Sequence, residues 1–315
     1  MNRPALDPEL AGLLAQMPAV PPLDARSLPL LRQYRTPAES FVEGRSIERR
    51  ELKIAAADGA LLPLSVFRPA GLATSAAAPC IYWLHGGGMV MGDRFTNLDI
   101  PLDWLERFGA VVVTLDYRLA PEVQGTTPVE DCYSGLEWVA GHAAELGIDP
   151  KRLVVAGASA GGGLTAGMTL MARDRGGPAI AAQVLICPML DHRNDTASSR
   201  QYAEGPATWT RAANSFGWEA LLGTATTVSA YASPALASDL GGLPPSFIDT
   251  GSAELFRDED ATYASRIWAA GGVAELHVWP GGCHGFDALF PKAQLSIIAR
   301  QTRSAWLGRL LNLPN

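Results

Sequence analysis

No apolar stretch in the 315 residues is long enough, or free enough of charge, to span a bilayer. The opening residues, Met1-Asn2-Arg3-Pro4-Ala5-Leu6-Asp7-Pro8-Glu9, lack the unbroken apolar run of a signal peptide. Both absences argue against stable membrane insertion, and a soluble, cytoplasmic chain is expected. Cysteine is scarce. Cys80, Cys132, Cys187 and Cys283 are widely spaced and form no C-x-x-C pair. A disulfide framework and a zinc site are therefore not expected, and Cys80 and Cys187, in strand-like apolar runs, read as buried free thiols. Basic clusters are missing too. The one candidate, Arg45-Ser46-Ile47-Glu48-Arg49-Arg50, is interrupted by Glu48, and the net charge is −7 with a pI near 5.3. These features argue against nucleic acid as a partner.

What is present is an ordinary globular composition, 48% apolar and 18% charged. The length suffices for a large core, either one α/β domain or such a domain with a smaller cap. The stretch that organises the chain is Arg152-Leu153-Val154-Val155-Ala156-Gly157-Ala158-Ser159-Ala160-Gly161-Gly162-Gly163. A β-branched run stops at glycines, and a helical pattern follows from Leu164 to Arg175, so it reads as strand, sharp turn, helix. Ser159 has glycine two residues before it and two after. A nucleophile elbow needs that spacing, because the turn is too tight for side chains at the flanking positions. The serine hydroxyl is then exposed at a helix N-terminus, whose partial positive charge favours an oxyanion.

The rest of the chain supplies the elbow's context. Leu10, Leu13, Leu14 and Met17, then Leu28, Leu31 and Tyr34, have helical spacing and predict two short amphipathic helices laid over another surface. Residues 49–54 and 61–68 alternate around Ala57-Asp58-Gly59 and predict a hairpin at a sheet edge. Cys80-Ile81-Tyr82-Trp83-Leu84-His85 reads as a buried parallel strand running into Gly86-Gly87-Gly88. In acyl-transfer enzymes such a glycine loop supplies oxyanion donors. His85 is placed to orient this loop rather than to act as a base.

Further strands are expected at 110–116, 182–188, 245–251 and 274–280. Helices are expected at 131–147 and 258–270, with a closing helix at 292–311. The alternation of strands and helices predicts a mostly parallel sheet flanked by helices on both faces. Between Asp191 and Ser233 it stops, and Trp209, Phe216, Trp218, Leu221 and Leu222 appear on helix-like stretches. This insert reads as cap helices that roof a pocket together with the N-terminal arm. Trp209 and Phe216 are candidates for an acyl pocket. The organisation expected is N-terminal cap helices at 1–45, a first core part at 46–190, inserted cap helices at 191–233 and a second core part at 234–315.

The chemistry of the elbow requires serine, then an acid, then histidine in chain order. His192 opens the insert ahead of the candidate acids, and His277 lies within a strand. His284 follows a strand end, in Pro280-Gly281-Gly282-Cys283-His284-Gly285-Phe286, and is the candidate base. Its neighbour Cys283 is read as a thiol without a catalytic part. Asp249, Glu254, Asp258, Glu259 and Asp260 are the acids available, and position alone does not separate them.

Four ordered motifs carry a resemblance over nearly the whole chain. They are His85-Gly86-Gly87-Gly88, the run from Asp116 to Glu122, Gly157-Ala158-Ser159-Ala160-Gly161-Gly162, and His284-Gly285-Phe286. Together they resemble the hormone-sensitive-lipase family of α/β-hydrolases, the bacterial family IV carboxylesterases. The family usually has Asp-Pro-Leu-Arg-Asp-Glu around its acid. Here Glu254-Leu255-Phe256-Arg257-Asp258-Glu259 stands in that place. The resemblance thus implies Glu254 as the acid, a glutamate in place of the usual aspartate, with Asp258 as the alternative. Ala158 stands where the family commonly has aspartate.

What the resemblance implies is an α/β-hydrolase with a helical cap. It implies a serine carboxylesterase for short- to medium-chain acyl esters, working through an acyl-enzyme. Ser159 would be the nucleophile, His284 the base and Glu254 its orienting acid. The N–H groups of Gly86, Gly87 or Gly88 and of Ala160 would form the oxyanion hole. The chemistry requires neither a metal nor an organic cofactor. The partner is a small-molecule ester, and the resemblance also raises a homodimer formed along a sheet edge. The same motifs would serve an amidase, lactonase or carbamate hydrolase, while the presence of His284 argues against a catalytically dead binding protein.

Overall fold

The computed structural model describes residues 2–73, 75–205 and 207–312. Three short helices come first: α1 (Pro8–Leu14), α2 (Leu28–Leu31) and α3 (Glu39–Val42). The hairpin follows as β1 (Ile47–Ala55) and β2 (Leu61–Pro69). The parallel part begins with β3 (Ala78–Leu84), α4 (Asp99–Phe108) and β4 (Val111–Leu115). It continues through α5 (Thr127–Gly141), α6 (Ala143–Leu146), β5 (Ile148–Ala158), α7 (Ala160–Arg175) and β6 (Ala182–Ile186). The insert holds α8 (Ala197–Gln201) and α9 (Arg211–Leu222). The chain then closes with β7 (Ser246–Gly251), α10 (Arg257–Ala269), β8 (Ala274–Trp279), α11 (Phe286–Leu289) and α12 (Gln294–Leu310).

The eight strands form one sheet in the order β1-β2-β4-β3-β5-β6-β7-β8. β1 and β2 are antiparallel, and β2 meets β4 antiparallel. Every pairing from β4 to β8 is parallel. This is the α/β-hydrolase fold. The continuous apolar runs have a direct cause: side chains alternate between two buried faces. In β3, Ile81 and Trp83 join α4 and α12 on one face, while Tyr82 and Leu84 join α5 and α7 on the other. Each such fully buried large side chain contributes about 1.5–3 kcal/mol. All parallel strands point the same way, so their C-terminal ends share one edge, where ligands bind in open α/β sheets.

Two expectations need correction. The helix predicted at 131–147 begins earlier, at Thr127 with Pro128 in its first turn, and it breaks at His142. The His142 ring stacks on Trp138, and its Nδ1 bonds the Trp138 carbonyl at 2.8 Å. The apolar pattern runs on through the break and conceals it. The arm is also less helical than its spacing suggests, since Met17 and Tyr34 lie beyond the ends of α1 and α2. Among the described residues, no helix is long and apolar enough to cross a membrane.

Candidate active site

Ser159 sits between β5 and α7 with φ +56° and ψ −122°, a region that L side chains rarely adopt. Its neighbours explain how the turn is held. A Cβ on Gly157 would collide with the Gly161 carbonyl, and one on Gly161 would collide with the Leu84 carbonyl. Hydrogen bonds then fix the serine backbone: its N–H donates to Ile186 O at 2.8 Å, and its carbonyl accepts from Met189 at 2.9 Å. Ala158 packs in the apolar cluster of β3, β5 and β6, so no carboxylate stands beside the serine.

The loop after β8 brings His284 to the same edge. Its Nε2 lies 2.9 Å from Ser159 Oγ, and its Nδ1 lies 2.9 Å from Glu254 Oε2. Glu254 is buried at the end of the β7 loop and also accepts bonds from the Thr250 hydroxyl and, at 3.3 Å, the Phe256 N–H. Burial alone would raise its pKa. The charge and hydrogen bond of His284, with hydrogen bonds from the Thr250 hydroxyl and the Phe256 N–H, outweigh burial and hold the carboxyl below its ordinary value. An ionised Glu254 accepts from Nδ1–H, which leaves Nε2 as the acceptor for the serine proton. The three side chains thus form an unbroken hydrogen-bonded line from a carboxylate to a hydroxyl.

The other acids have different partners. Asp258 binds Arg257 Nε at 2.8 Å and Ser198 N–H at 2.7 Å. Asp249 meets Trp279 Nε1 and Arg303, and Glu259 accepts from the N–H groups of Leu190 and Asp191. Among the described residues, both carboxylate oxygens of Asp260 are buried without a hydrogen-bond partner. The other histidines are occupied elsewhere. His277 stacks between Phe247 and Trp279, and His192 bonds Ser233 at 3.1 Å.

Opposite the histidine, Gly86 approaches the elbow so closely that a Cβ would lie 3.0 Å from Ala158 O and 3.3 Å from Ser159 Cβ. Gly87 and Gly88 have φ of +120° and +61°. The N–H groups of Gly86, Gly87, Gly88 and Ala160 donate to no acceptor among the described residues. Ala160 is the first residue of α7, where no intrahelical acceptor exists. His85 holds the loop from below. Its Nδ1 bonds Gly86 O at 2.7 Å, its ring stacks on Tyr117, and Tyr117 Oη donates to its carbonyl at 2.8 Å. Burial lowers its pKa, which suits this packed role.

Some supports carried no signal in the sequence. Arg32 of the arm donates to Val90 O and Ala120 O, each at 2.7 Å, and clamps Glu122. Asp7 N–H donates to Gly281 O at 3.0 Å, and Thr208 donates to His284 O at 2.9 Å, so arm and insert both hold the histidine loop. Thr250 was legible only as a strand-end residue four before Glu254.

A cavity of about 890 Å³ opens against His284 and Glu254 and is walled by the arm, Tyr202, Trp209 and Leu289. Trp209 therefore lines it. Phe216 does not: it lies on α9 against the core cluster, on a turn whose buried neighbours are Ala213, Asn214 and Gly217. Cys187, Glu254 and His284 have potential metal-donor atoms within 4.8 Å of one another. Their chemistry does not fit a metal, because Glu254 and His284 bond each other and burial pushes the Cys187 thiol up, away from the thiolate a metal needs. Burial likewise pushes Cys283 up to about 11, which leaves it a poor nucleophile.

Comparison with known proteins agrees with this geometry. A family model described as the alpha/beta hydrolase fold matches residues 81–288. The chain is 35% identical over 296 residues to the carboxylesterase NlhH of Mycobacterium tuberculosis, covering 90% of this chain and 89% of that one. It superposes on a bacterial heroin esterase with TM-score 0.86 at 34% identity, covering 99% of both chains. Esterase LipW from Mycobacterium marinum gives 0.88 at 32%, covering 98% of both. The chain belongs to the hormone-sensitive-lipase-like esterases of the α/β-hydrolase fold.

Proposed function

We propose that this carboxylesterase hydrolyses short- to medium-chain acyl esters through an acyl-enzyme on Ser159. The observation that carries the reading is the line Ser159–His284–Glu254, with both links at 2.9 Å. His284 Nε2 takes the serine proton as Oγ attacks the ester carbonyl. Glu254 keeps the proton of His284 on Nδ1 and stabilises the imidazolium. The unpaired N–H groups of the Gly86–Gly88 loop and of Ala160 receive the developing oxyanion, and each such donor is worth about 3 kcal/mol of transition-state stabilisation. His284 then protonates the leaving alcohol, and water attacks the acyl-enzyme with His284 again as base. Arm and insert together act as the cap. The short acyl limit is supported by Trp209, since a Cβ on Gly88 would lie 2.6 Å from its ring. Little room is left beside the glycine loop for a long chain.

The test is hydrolysis of p-nitrophenyl esters from acetate to palmitate by wild type, Ser159→Ala and Glu254→Gln. Activity should peak at short chains and vanish in Ser159→Ala. In Glu254→Gln kcat should fall about a thousandfold with little change in KM. Near-wild-type turnover in Glu254→Gln would remove Glu254 from its role. Failure of a fluorophosphonate to label Ser159 in folded protein would overturn the nucleophile.

A further inference from the structure

The cavity is placed asymmetrically about the reacting bond. From the core, Ala253, Glu254, Cys283, His284 and Leu289 line it, and neither Ser159 nor any of Gly86, Gly87, Gly88 and Ala160 does. It therefore lies on the histidine side of the serine, away from the oxyanion donors. Trp209 marks the division. One edge of its ring fills the space over Gly88, its centre stands 6.1 Å from the His284 ring, and it also lines the cavity.

The chemistry gives the two sides different contents. When the tetrahedral intermediate collapses, the carbon–oxygen bond to the alcohol breaks, its electrons stay on that oxygen, and the proton on His284 Nε2 goes to it. The leaving oxygen must therefore face His284, and the rest of the alcohol extends past the histidine. The acyl chain, on the other side of the carbonyl carbon, faces Trp209 and the glycine loop.

The cavity has the size of a site for a drug-sized ligand, about 300–1,000 Å³. Its arm wall is apolar, including Leu6, Ala11, Leu14, Met17 and Val20. The charged side chains on its surface are engaged. Glu254 holds His284, and Arg3 donates to Gln201 O at 2.8 Å with its guanidinium 4.5 Å above the Tyr202 ring. An uncharged, bulky, apolar group fits such a lining.

We propose that the cavity receives the alcohol moiety, so that the preferred substrates are small-acyl esters of bulky apolar alcohols, such as arylalkyl or alicyclic ones. This rests on the reading of Ser159 and His284 given above. The test uses ethyl, cyclohexylmethyl and 2-(naphthyl)ethyl acetates, whose primary alcohols differ little in leaving-group acidity, beside ethyl butyrate and ethyl octanoate. For wild type, kcat/KM should rise about tenfold or more along the alcohol series and fall along the acyl series. Ala15→Trp, which fills the cavity from an exposed site on the arm, should cut kcat/KM on the naphthylethyl acetate about tenfold more than on ethyl acetate. Ala11→Phe is the second variant, and circular dichroism shows that each is folded. If either folded variant weakens ethyl octanoate and spares the naphthylethyl acetate, the cavity is the acyl site and the proposal falls. An equal effect on all five esters also overturns it. Hydrolysis of ethyl acetate by wild type and not by Ser159→Ala keeps the reading of the serine intact whichever way the ratios fall.

Discussion

The floor of the site and its roof are built to different tolerances. The floor is the sheet edge with the elbow and the glycine loop, and it is packed to the contact limit. Gly157 and Gly161 have no room for a methyl group, Gly87 would strike Met91 O, and Leu84 and Ala160 are fully buried. The roof on the cavity side is the arm. Leu10 is the one buried residue of α1, α3 has none, and a Cβ on Gly12 would meet nothing within 4 Å. Reaction geometry that must hold to a fraction of an ångström belongs in close-packed structure, where neighbours over-determine each position. A surface that selects among substrates can be thin, because one methylene more or less in it changes the rate without touching the chemistry.

The sharpest break of this comparison is a matched pair of glycines. Gly161→Ala should destabilise the fold by about 3 kcal/mol and remove most activity, because the new methyl can be seated only by moving β3 or α7. Gly12→Ala, within α1, should stabilise by about 0.5–1 kcal/mol through the lost freedom of the unfolded chain. Urea denaturation measures both. A tolerated Gly161→Ala would show that the floor has slack.

A second prediction sharpens the comparison inside the floor, where two carboxyls of neighbouring turns have opposite fates. Glu254 has four donors, with Gly251 N–H at 3.4 Å as the longest, and a lowered pKa, whereas among the described residues neither carboxylate oxygen of Asp260 has a hydrogen-bond partner. Burial first, then the charges of Glu254, Glu259 and Asp249, raise the Asp260 pKa well above 3.8, with a weaker opposing contribution from the Thr250 hydroxyl. The folded protein therefore binds the Asp260 proton more tightly than the unfolded chain does. Stability from this group is present below pH 3.8 and drains away as pH rises towards the folded value. Asp260→Asn should be more stable than wild type at neutral pH by about 1–3 kcal/mol, with the gain shrinking towards acid. A variant less stable than wild type at pH 7 would mean that the carboxylate has a use in the fold. Glu254 has the opposite sign: its contribution is present above 4.5 and lost as pH falls through its lower folded value.

The floor was far more legible in the sequence than the roof, for the same physical reason. A strand buried on both faces must be apolar throughout, so β3, β4, β5 and β6 are visible as runs such as Cys80–Leu84. A turn with no room for Cβ must be glycine, so the elbow and the loop at 86–88 are visible as well. The place of His284 in a loop at the same sheet edge as Ser159 followed from strand order. Position did not separate Glu254 from Asp258, because their partners lie far off in sequence: His284 meets Glu254, and Ser198 of the insert reaches the Asp258 carboxylate. The place of Phe216 was not legible, because aromatics mark buried surface of either kind and the rotation of α9 sets which surface each one meets. The break at His142 was hidden because a single histidine's bond to Trp138 leaves the apolar spacing intact.

Arg32 joins the two regions and carries the smallest expected effect. It belongs to the roof, at the end of α2, and its guanidinium reaches the floor at Val90 O and Ala120 O while holding Glu122 at 2.6 and 2.8 Å. The Glu122 end is exposed and screened by salt, so as an ion pair it contributes little. The two carbonyls matter more. One lies in the loop that follows Gly88, and the other accompanies the bond that Met89 O accepts from Ala120 N–H at 2.9 Å. Arg32→Ala leaves both carbonyls to water and loosens the loop that carries the unpaired N–H groups of Gly86, Gly87 and Gly88. It should cost about 1 kcal/mol or less in stability and lower kcat/KM about three- to tenfold at unchanged acyl preference. Arg32→Lys should recover little of the rate, since one ammonium cannot span three acceptors as the planar fork does. If Arg32→Ala costs as much stability as Gly161→Ala, the arm is part of the core rather than a cover on it. The division between a rigid floor and a tolerant roof then fails at the one side chain that ties them together.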